Sequence, residues 1–375
     1  MNIICFSHLR WNFVYQRPQH LLSRFAKHYT VYFIEEPVFI NGDDFNLITV
    51  TEENVHVVTP HINNVNNNVS ATQTNLLTKL LDEQGISNYI FWYYSPMALL
   101  FSRQFNPLLV VYDCMDELSA FKFAPPQLKE TEKALFESAD VVFTGGYSLY
   151  QAKKNLHHNI YPFPSSIEKE HFAKARIHNQ EPSDQKNIPH PRLGFFGVLD
   201  ERFDIKLIRD VAEKKPEWNF VLLGPVVKIH PDDLPQNKNI FYPGSKSYNE
   251  LPAYISGWDI ALIPFAINES TKFISPTKTP EYLAAGKPVI STAIKDVVSP
   301  YGDENLVSIV HSSEEFIAAA EKLLQQKNRQ QWLKHVDEFL AENSWDITFN
   351  EMNSIIKNTL NTKKKFVNPK KEIYV

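Results

Sequence analysis

Short apolar runs recur along the first half of the chain, at 2–6, 30–34, 55–59, 89–93, 108–112, 141–144 and 160–163. Each is too short for a helix and too uniformly apolar for a half-exposed strand, so each predicts a strand buried on both faces. Between them, 17–27, 72–84, 127–138 and 146–154 carry apolar residues at helical spacing, as with Leu21, Leu22 and Phe25. Strands alternating with helices predict a parallel sheet covered on both sides. The stretch 173–191 is polar, lacks a period and contains Pro182 and Pro189, so it reads as a linker. The alternation then restarts, with strands at 192–196, 219–223, 240–242, 260–263, 288–291 and 307–310 and helices at 205–214, 251–255, 277–285 and 313–324. The expected fold class is α/β, two doubly wound Rossmann-like domains (1–172 and 192–342) facing each other across a cleft at their C-terminal strand edges. Only helical pattern follows, the last stretch (343–362) starting at a Ser344 cap, and then a basic tail at 363–375.

Composition narrows the function. At 375 residues, each half is long enough to bury its own core, so neither a disulfide nor a metal staple is needed. Lys and Arg number 38 against 43 Asp and Glu, a net charge of −5 that argues against nucleic acid as a partner. Glycine is scarce, and its 11 positions form neither G-x-G-x-x-G nor G-x-x-x-x-G-K-[ST], which sets aside the usual dinucleotide and ATP loops. Seven of them fall between 194 and 302, so close backbone approach to a ligand is expected there. Cys5 and Cys114 sit beside strand-like runs and read as buried small hydrophobes; no His or Cys spacing suits a metal, and none is expected. No leader pattern opens the chain, and its longest apolar stretch, 89–102, holds Pro96 and is too short to span a bilayer, so a cytoplasmic protein is expected.

Two segments carry candidate chemistry. In Ser275-Pro276-Thr277-Lys278, Ser275 suits an N-cap and Pro276 the first helical position, leaving the amides of Thr277 and Lys278 to face phosphate oxygens. Lys278 and Glu281 are three apart on one face; they form either half of a binding site or an ordinary surface pair. In the first half, the strand at 108–112 runs into Asp113 and Asp116, of which one reaches the cleft, unless both cap the next helix. His8, Trp11 and Arg17, in the loop after the first strand, are candidates for an acceptor pocket.

The run Pro280-Glu281-Tyr282-Leu283-Ala284-Ala285-Gly286-Lys287-Pro288-Val289-Ile290 resembles the C-terminal signature of GT-B glycosyltransferases, especially glycosyltransferase family four. Gly194-Phe195-Phe196-Gly197 through Arg202, Gly224-Pro225, Ala139-Asp140-Val141-Val142 with Ser148, and Pro164-Ser165-Ser166-Ile167-Glu168 with Phe172 fall in the order and spacing of that family over some 340 residues. Trp11 with Gln16-Arg17-Pro18-Gln19-His20 is similar to a bacterial surface-polysaccharide branch.

The resemblance implies a glycosyltransferase moving a sugar from a UDP-linked donor to a glycan or lipid-linked acceptor, with retention of configuration and no cofactor or metal. It gives Glu281 the ribose hydroxyls, Ser275, Thr277 and Lys278 the diphosphate, and Arg202 the leaving-group charge. Gly197 and Gly224 fall in the donor loops, and Gly244 and Tyr248 where the base is held. Asp113 or Asp116 would face the reacting sugar or acceptor. Two positions depart from the pattern: Val198 replaces a basic residue, and Phe273 stands where the first signature Glu belongs, leaving Asn268 or Glu269 to contact the sugar. A GT-B epimerase and a non-catalytic scaffold are the alternatives. The last helix would pack back on the first domain, and the tail lysines, at ~1 kcal/mol each near an anionic surface, offer peripheral contact with the inner face of a membrane.

Overall fold

A computed structural model describes residues 1–65, 68–177, 180–326 and 328–367. The first sheet contains β1 (Asn2–Phe6), β2 (Thr30–Ile34), β3 (Val38–Ile40), β4 (Phe45–Val50), β5 (Val55–Asn63), β6 (Tyr89–Tyr93), β7 (Leu109–Cys114), β8 (Val141–Thr144) and β9 (Ile160–Pro162). Its order is β3-β5-β2-β1-β6-β7-β8-β9, parallel throughout, with β4 added antiparallel to β5. The second sheet contains β10 (Arg192–Phe196), β11 (Asn219–Leu223), β12 (Ile240–Gly244), β13 (Ile260–Ile263), β14 (Val289–Thr292) and β15 (Val307–Val310), in the order β12-β11-β10-β13-β14-β15. That is the third, second, first, fourth, fifth, sixth order of a dinucleotide-binding domain, and it places a ligand crevice beyond the C-terminal ends of β10 and β13. Two Rossmann-like domains result. The apolar runs are strands because helices on both faces bury them fully, as with Tyr89–Tyr93, where all five residues are buried.

The hairpin of β4 and β5 differs from the expected pattern, which placed a single strand at 55–59. Asn54 takes φ +61° at the turn, and Thr51 accepts the amides of Asn54 (3.0 Å) and, through its hydroxyl, Val55 (3.3 Å). The alternating 45–50 segment is a half-exposed edge strand, a pattern overlooked beside the stronger buried runs.

The polar stretch 173–191 is no free linker. Ala175 and Ile188 join the second domain's core, as does Phe172 just ahead of them. Arg176 donates to the Ala284 carbonyl (2.6 Å) and pairs with Asp337 (2.8 Å). Gln185, fully buried, donates to the Tyr254 carbonyl and accepts from Trp258, both at 2.9 Å. A few well-placed side chains dock this segment without any hydrophobic period to reveal it. The chain passes between the cores further upstream, between Phe163 in the first and Ile167 in the second.

The last helix, Trp345–Val367, returns to the first domain. Its apolar residues Trp345, Phe349, Met352, Ile356 and Leu360 recur every three or four positions and enter that core. Arg24 bonds Asp346 (2.7 Å), Tyr29 bonds Asn353 (2.8 Å), and His20 stacks on Trp345 at 4.7 Å. This helix runs past the expected end, and Lys363 pairs with Asp140 at 2.7 Å instead of standing free. Residues 368–375, most of the expected basic tail, lie outside the described residues.

Candidate active site

The C-terminal edges of the two sheets enclose a cavity of about 790 Å³, the size of a small-molecule site. The second domain contributes Gly197, Arg202, Gly224, Tyr248, Lys278 and Glu281, among others. Gly197 (φ +143°) and Gly224 (φ +137°) are required here. A Cβ on Gly224 would fall 1.9 Å from the Gly197 carbonyl oxygen, and one on Gly197 would fall 2.4 Å from Lys278 Cε. Only bare backbone lets these two strand ends meet and Lys278 lie across them.

Lys278 and Glu281 form the polar centre. Lys278 Nζ lies 5.7 Å and 5.6 Å from the rings of Phe195 and Phe196 and has neither a hydrogen bond nor an ion pair among the described residues. Glu281 is 4% exposed, and its Oε2 has no hydrogen-bond partner among the described residues. Burial pushes both toward their neutral forms, the amine down and the carboxyl up, and each charge partly restores the other. The helix Lys278–Ala284 begins later than expected. Thr277, not Ser275, flanks it, and neither side chain caps it. Ser275 instead joins the domains, its carbonyl accepting from Ser165 Oγ at 2.6 Å. Ser275 and Thr277 both line the cavity.

Arg202 is fixed by Asp200, with Nε 3.0 Å from Oδ1 and Nη2 2.6 Å from Oδ2. Burial opposes its charge, but these bonds and the nearby carboxylates Asp200, Asp116 and Glu201 outweigh it. Tyr248 stacks between Tyr15 of the first domain (4.7 Å) and His171 (4.3 Å), while its buried hydroxyl has no hydrogen-bond partner among the described residues.

The two candidate carboxylates separate. Asp113 is fully buried and outside the cavity lining. Arg17 Nε lies 3.1 Å from both its oxygens and Nη2 lies 2.9 Å from Oδ1, while Arg17 Nη1 donates to the Phe163 carbonyl at 2.7 Å. Asp113 therefore corrects the expectation of a cleft-facing group, because it neutralises a buried guanidinium. Asp116 does line the cavity, and burial raises its carboxyl to about 6 against the pull of Arg202 and Arg17. Asp113 is held inside β7, paired with Phe143, whereas Asp116 lies beyond the strand, where loop geometry sets direction.

Other expected residues divide likewise. Arg17 and Trp11 reach the cavity wall, although the Trp11 indole packs on Phe33 in the core at 5.1 Å. His8 does not line it; burial, with Lys228 nearby, lowers the imidazole to about 4, which keeps it neutral. Gly244 is also outside, since its carbonyl accepts from Gly224 N at 3.0 Å, and Ser245, Lys246 and Ser247 line the wall in its place. Asn268 is spent on the amide of Ser270 (2.9 Å), Glu269 sits beside Lys272 (3.6 Å), and neither lines the cavity. Phe273 turns away and packs on the first domain's core, so Ile274 faces the cavity. Sequence reasoning missed Tyr15 and the hairpin tip Thr49, Val50, Thr51, Glu52 and Glu53, which also line the cavity. The alternating strand before the Thr-Glu-Glu-Asn turn was the available signal. Among the described residues, no cluster of His, Cys, Asp or Glu could hold a metal, and no helix is long and apolar enough to cross a membrane.

Residues 190–326 match the sequence profile of the family described as "Glycosyl transferases group 1". The second domain is thus a glycosyltransferase group 1 domain, and two Rossmann-like sheets facing across one polar cavity give the chain the GT-B fold. The chain is similar to "Putative teichuronic acid biosynthesis glycosyltransferase TuaH" of Bacillus subtilis, at 26% identity over 283 residues, 70% of each chain. Among solved structures it resembles sucrose-phosphate synthase of Thermosynechococcus elongatus (TM-score 0.71, 14% identity, 96% of this chain and 99% of the other). It also resembles Anabaena HepE in complex with UDP and glucose (TM-score 0.67, 14% identity, 95% and 99%).

Proposed function

We propose that the protein transfers a sugar from a UDP-linked donor to a glycan or lipid-linked acceptor during polysaccharide synthesis, retaining anomeric configuration without a bound metal or cofactor. The observation that carries this reading is the Lys278–Glu281 turn, a cation and a carboxylate oxygen that face one cavity without hydrogen-bond partners among the described residues. A nucleoside diphosphate satisfies both, with phosphate oxygens at Lys278 and ribose hydroxyls at Glu281 Oε2. UDP is favoured because HepE was solved with UDP, and the polysaccharide setting because TuaH is named for teichuronic acid biosynthesis.

In the transfer, an acceptor oxygen bonds the anomeric carbon while the diphosphate oxygen leaves with its electron pair and takes the acceptor proton. Arg202 and Lys278 stabilise the charge gathering on the leaving group. Asp116, mostly ionised at pH 7, accepts hydrogen bonds from hydroxyls of the transferred sugar or acceptor. No observation favours an epimerase, and the intact Arg202, Lys278 and Glu281 set disfavours a scaffold. The test is calorimetric titration with UDP. The unmodified protein should bind it, and Glu281→Gln should weaken binding by ~1–3 kcal/mol with the fold intact. Absence of UDP binding overturns the reading.

A further inference from the structure

The loop that follows β7 carries Asp116 and then continues through the turn Leu118–Ala120 to Phe121, which is half-buried and outside the cavity lining. The Phe121 ring lies 5.4 Å from the Arg202 guanidinium carbon and 5.2 Å from Lys228 Nζ, both on the second domain. Arg202 has a second ring, Phe265 of its own domain, at 5.9 Å. The next residue fixes the same approach: Lys122 N donates to Glu201 Oε1 (3.3 Å) and Lys122 Nζ to the Lys228 carbonyl (3.4 Å).

We infer that Phe121 is a positioning residue that seats the Arg202 guanidinium from the opposite domain. Asp200 holds two of the Arg202 nitrogens and Phe265 approaches from the same domain, whether or not the cleft is closed. Phe121 reaches Arg202 only when the domains meet, and it arrives on the loop that brings Asp116 into the cavity. Closure therefore sets the leaving-group cation and the opposing carboxylate in one movement. An aromatic ring suits this position because its face attracts the guanidinium without competing with a phosphate for its hydrogen bonds. The inference rests on the reading of Arg202 as a contact to the donor diphosphate.

The test is a double-mutant cycle on the full chain, read by calorimetric titration with UDP. Phe121→Leu should weaken UDP binding about three- to tenfold, the range of a partly buried cation–π contact, while Phe121→Tyr stays within about twofold. In an Arg202→Met background, Phe121→Leu should add less than about twofold, because its target is gone. Thermal melting of each variant separates this from loss of fold, and the Tyr variant carries the comparison if the Leu variant melts early. Unchanged affinity in Phe121→Leu, or an equal loss in the Arg202→Met background, overturns the positioning role. Unaltered binding in Arg202→Met alone overturns the reading of Arg202 instead, and failure of the unmodified protein to bind UDP overturns the proposed function.

Discussion

Asp113 and Asp116 lie three residues apart, yet replacing each with Asn should move stability in opposite directions. Asp113→Asn leaves the Arg17 guanidinium, 4% exposed, without its counter-charge, because the Phe163 carbonyl can only accept a hydrogen bond. Breaking one side of a buried ion pair costs about 3–5 kcal/mol, which is expected here since Asp113 is fully buried and Arg17 nearly so. Asp116 is the reverse case. Its carboxyl titrates near 6 in the folded chain against 3.8 for the free side chain, so the native state binds the proton more tightly than the unfolded state. Stability attributable to Asp116 therefore falls as pH rises from about 4 to about 6, and the full penalty stands at pH 7. At 1.36 kcal/mol per unit, Asp116→Asn should stabilise the protein by roughly 1–3 kcal/mol at pH 7, with the gain shrinking toward pH 4. It should also lower sugar transfer, as expected where a site holds strained charge. Urea denaturation of both variants at pH 4 and 7, followed by circular dichroism, reads the signs. Destabilisation by Asp116→Asn at pH 7, or an unchanged urea midpoint in Asp113→Asn, would refute the assignment of the two carboxylates.

Two further predictions follow from groups around the cavity. Burial favours a neutral Lys278 amine, and an anionic ligand favours the ammonium, so UDP binding should take up protons above neutral pH and weaken as pH rises. Calorimetry in buffers of different ionisation enthalpy measures that uptake, and Lys278→Met should remove it. Asp296 of the second domain accepts from Ser148 N at 3.0 Å, capping the Tyr147–Lys153 helix of the first across the interface. Asp296→Ala should enlarge the radius of gyration in small-angle scattering, with saturating UDP reversing the change; identical curves would show that this cap does not hold the cleft closed.

The sequence alone determined the layered architecture. Parallel strands buried on both faces must be continuously apolar, so runs such as 2–6, 89–93 and 219–223 announce themselves locally. The Lys278–Glu281 turn was legible for a related reason, since helical spacing puts the two residues on one face and a glycine after Ala285 ends the helix. Whatever depended on direction beyond a strand end, or on contact between distant segments, was decided only in three dimensions. Asp113 and Asp116 are the same residue type three positions apart at one end of β7, and only the arrival of Arg17, 96 positions away, shows which one is neutralised inside the core. Phe273 and the docked 173–191 stretch follow the same rule, because their partners lie in the other domain or more than 60 residues along the chain. Local pattern fixes which surfaces must be buried, but it carries no information about which distant charge or ring will meet them. That pairing gave Asp116 the cavity, Asp113 the core and Arg202 its second aromatic neighbour.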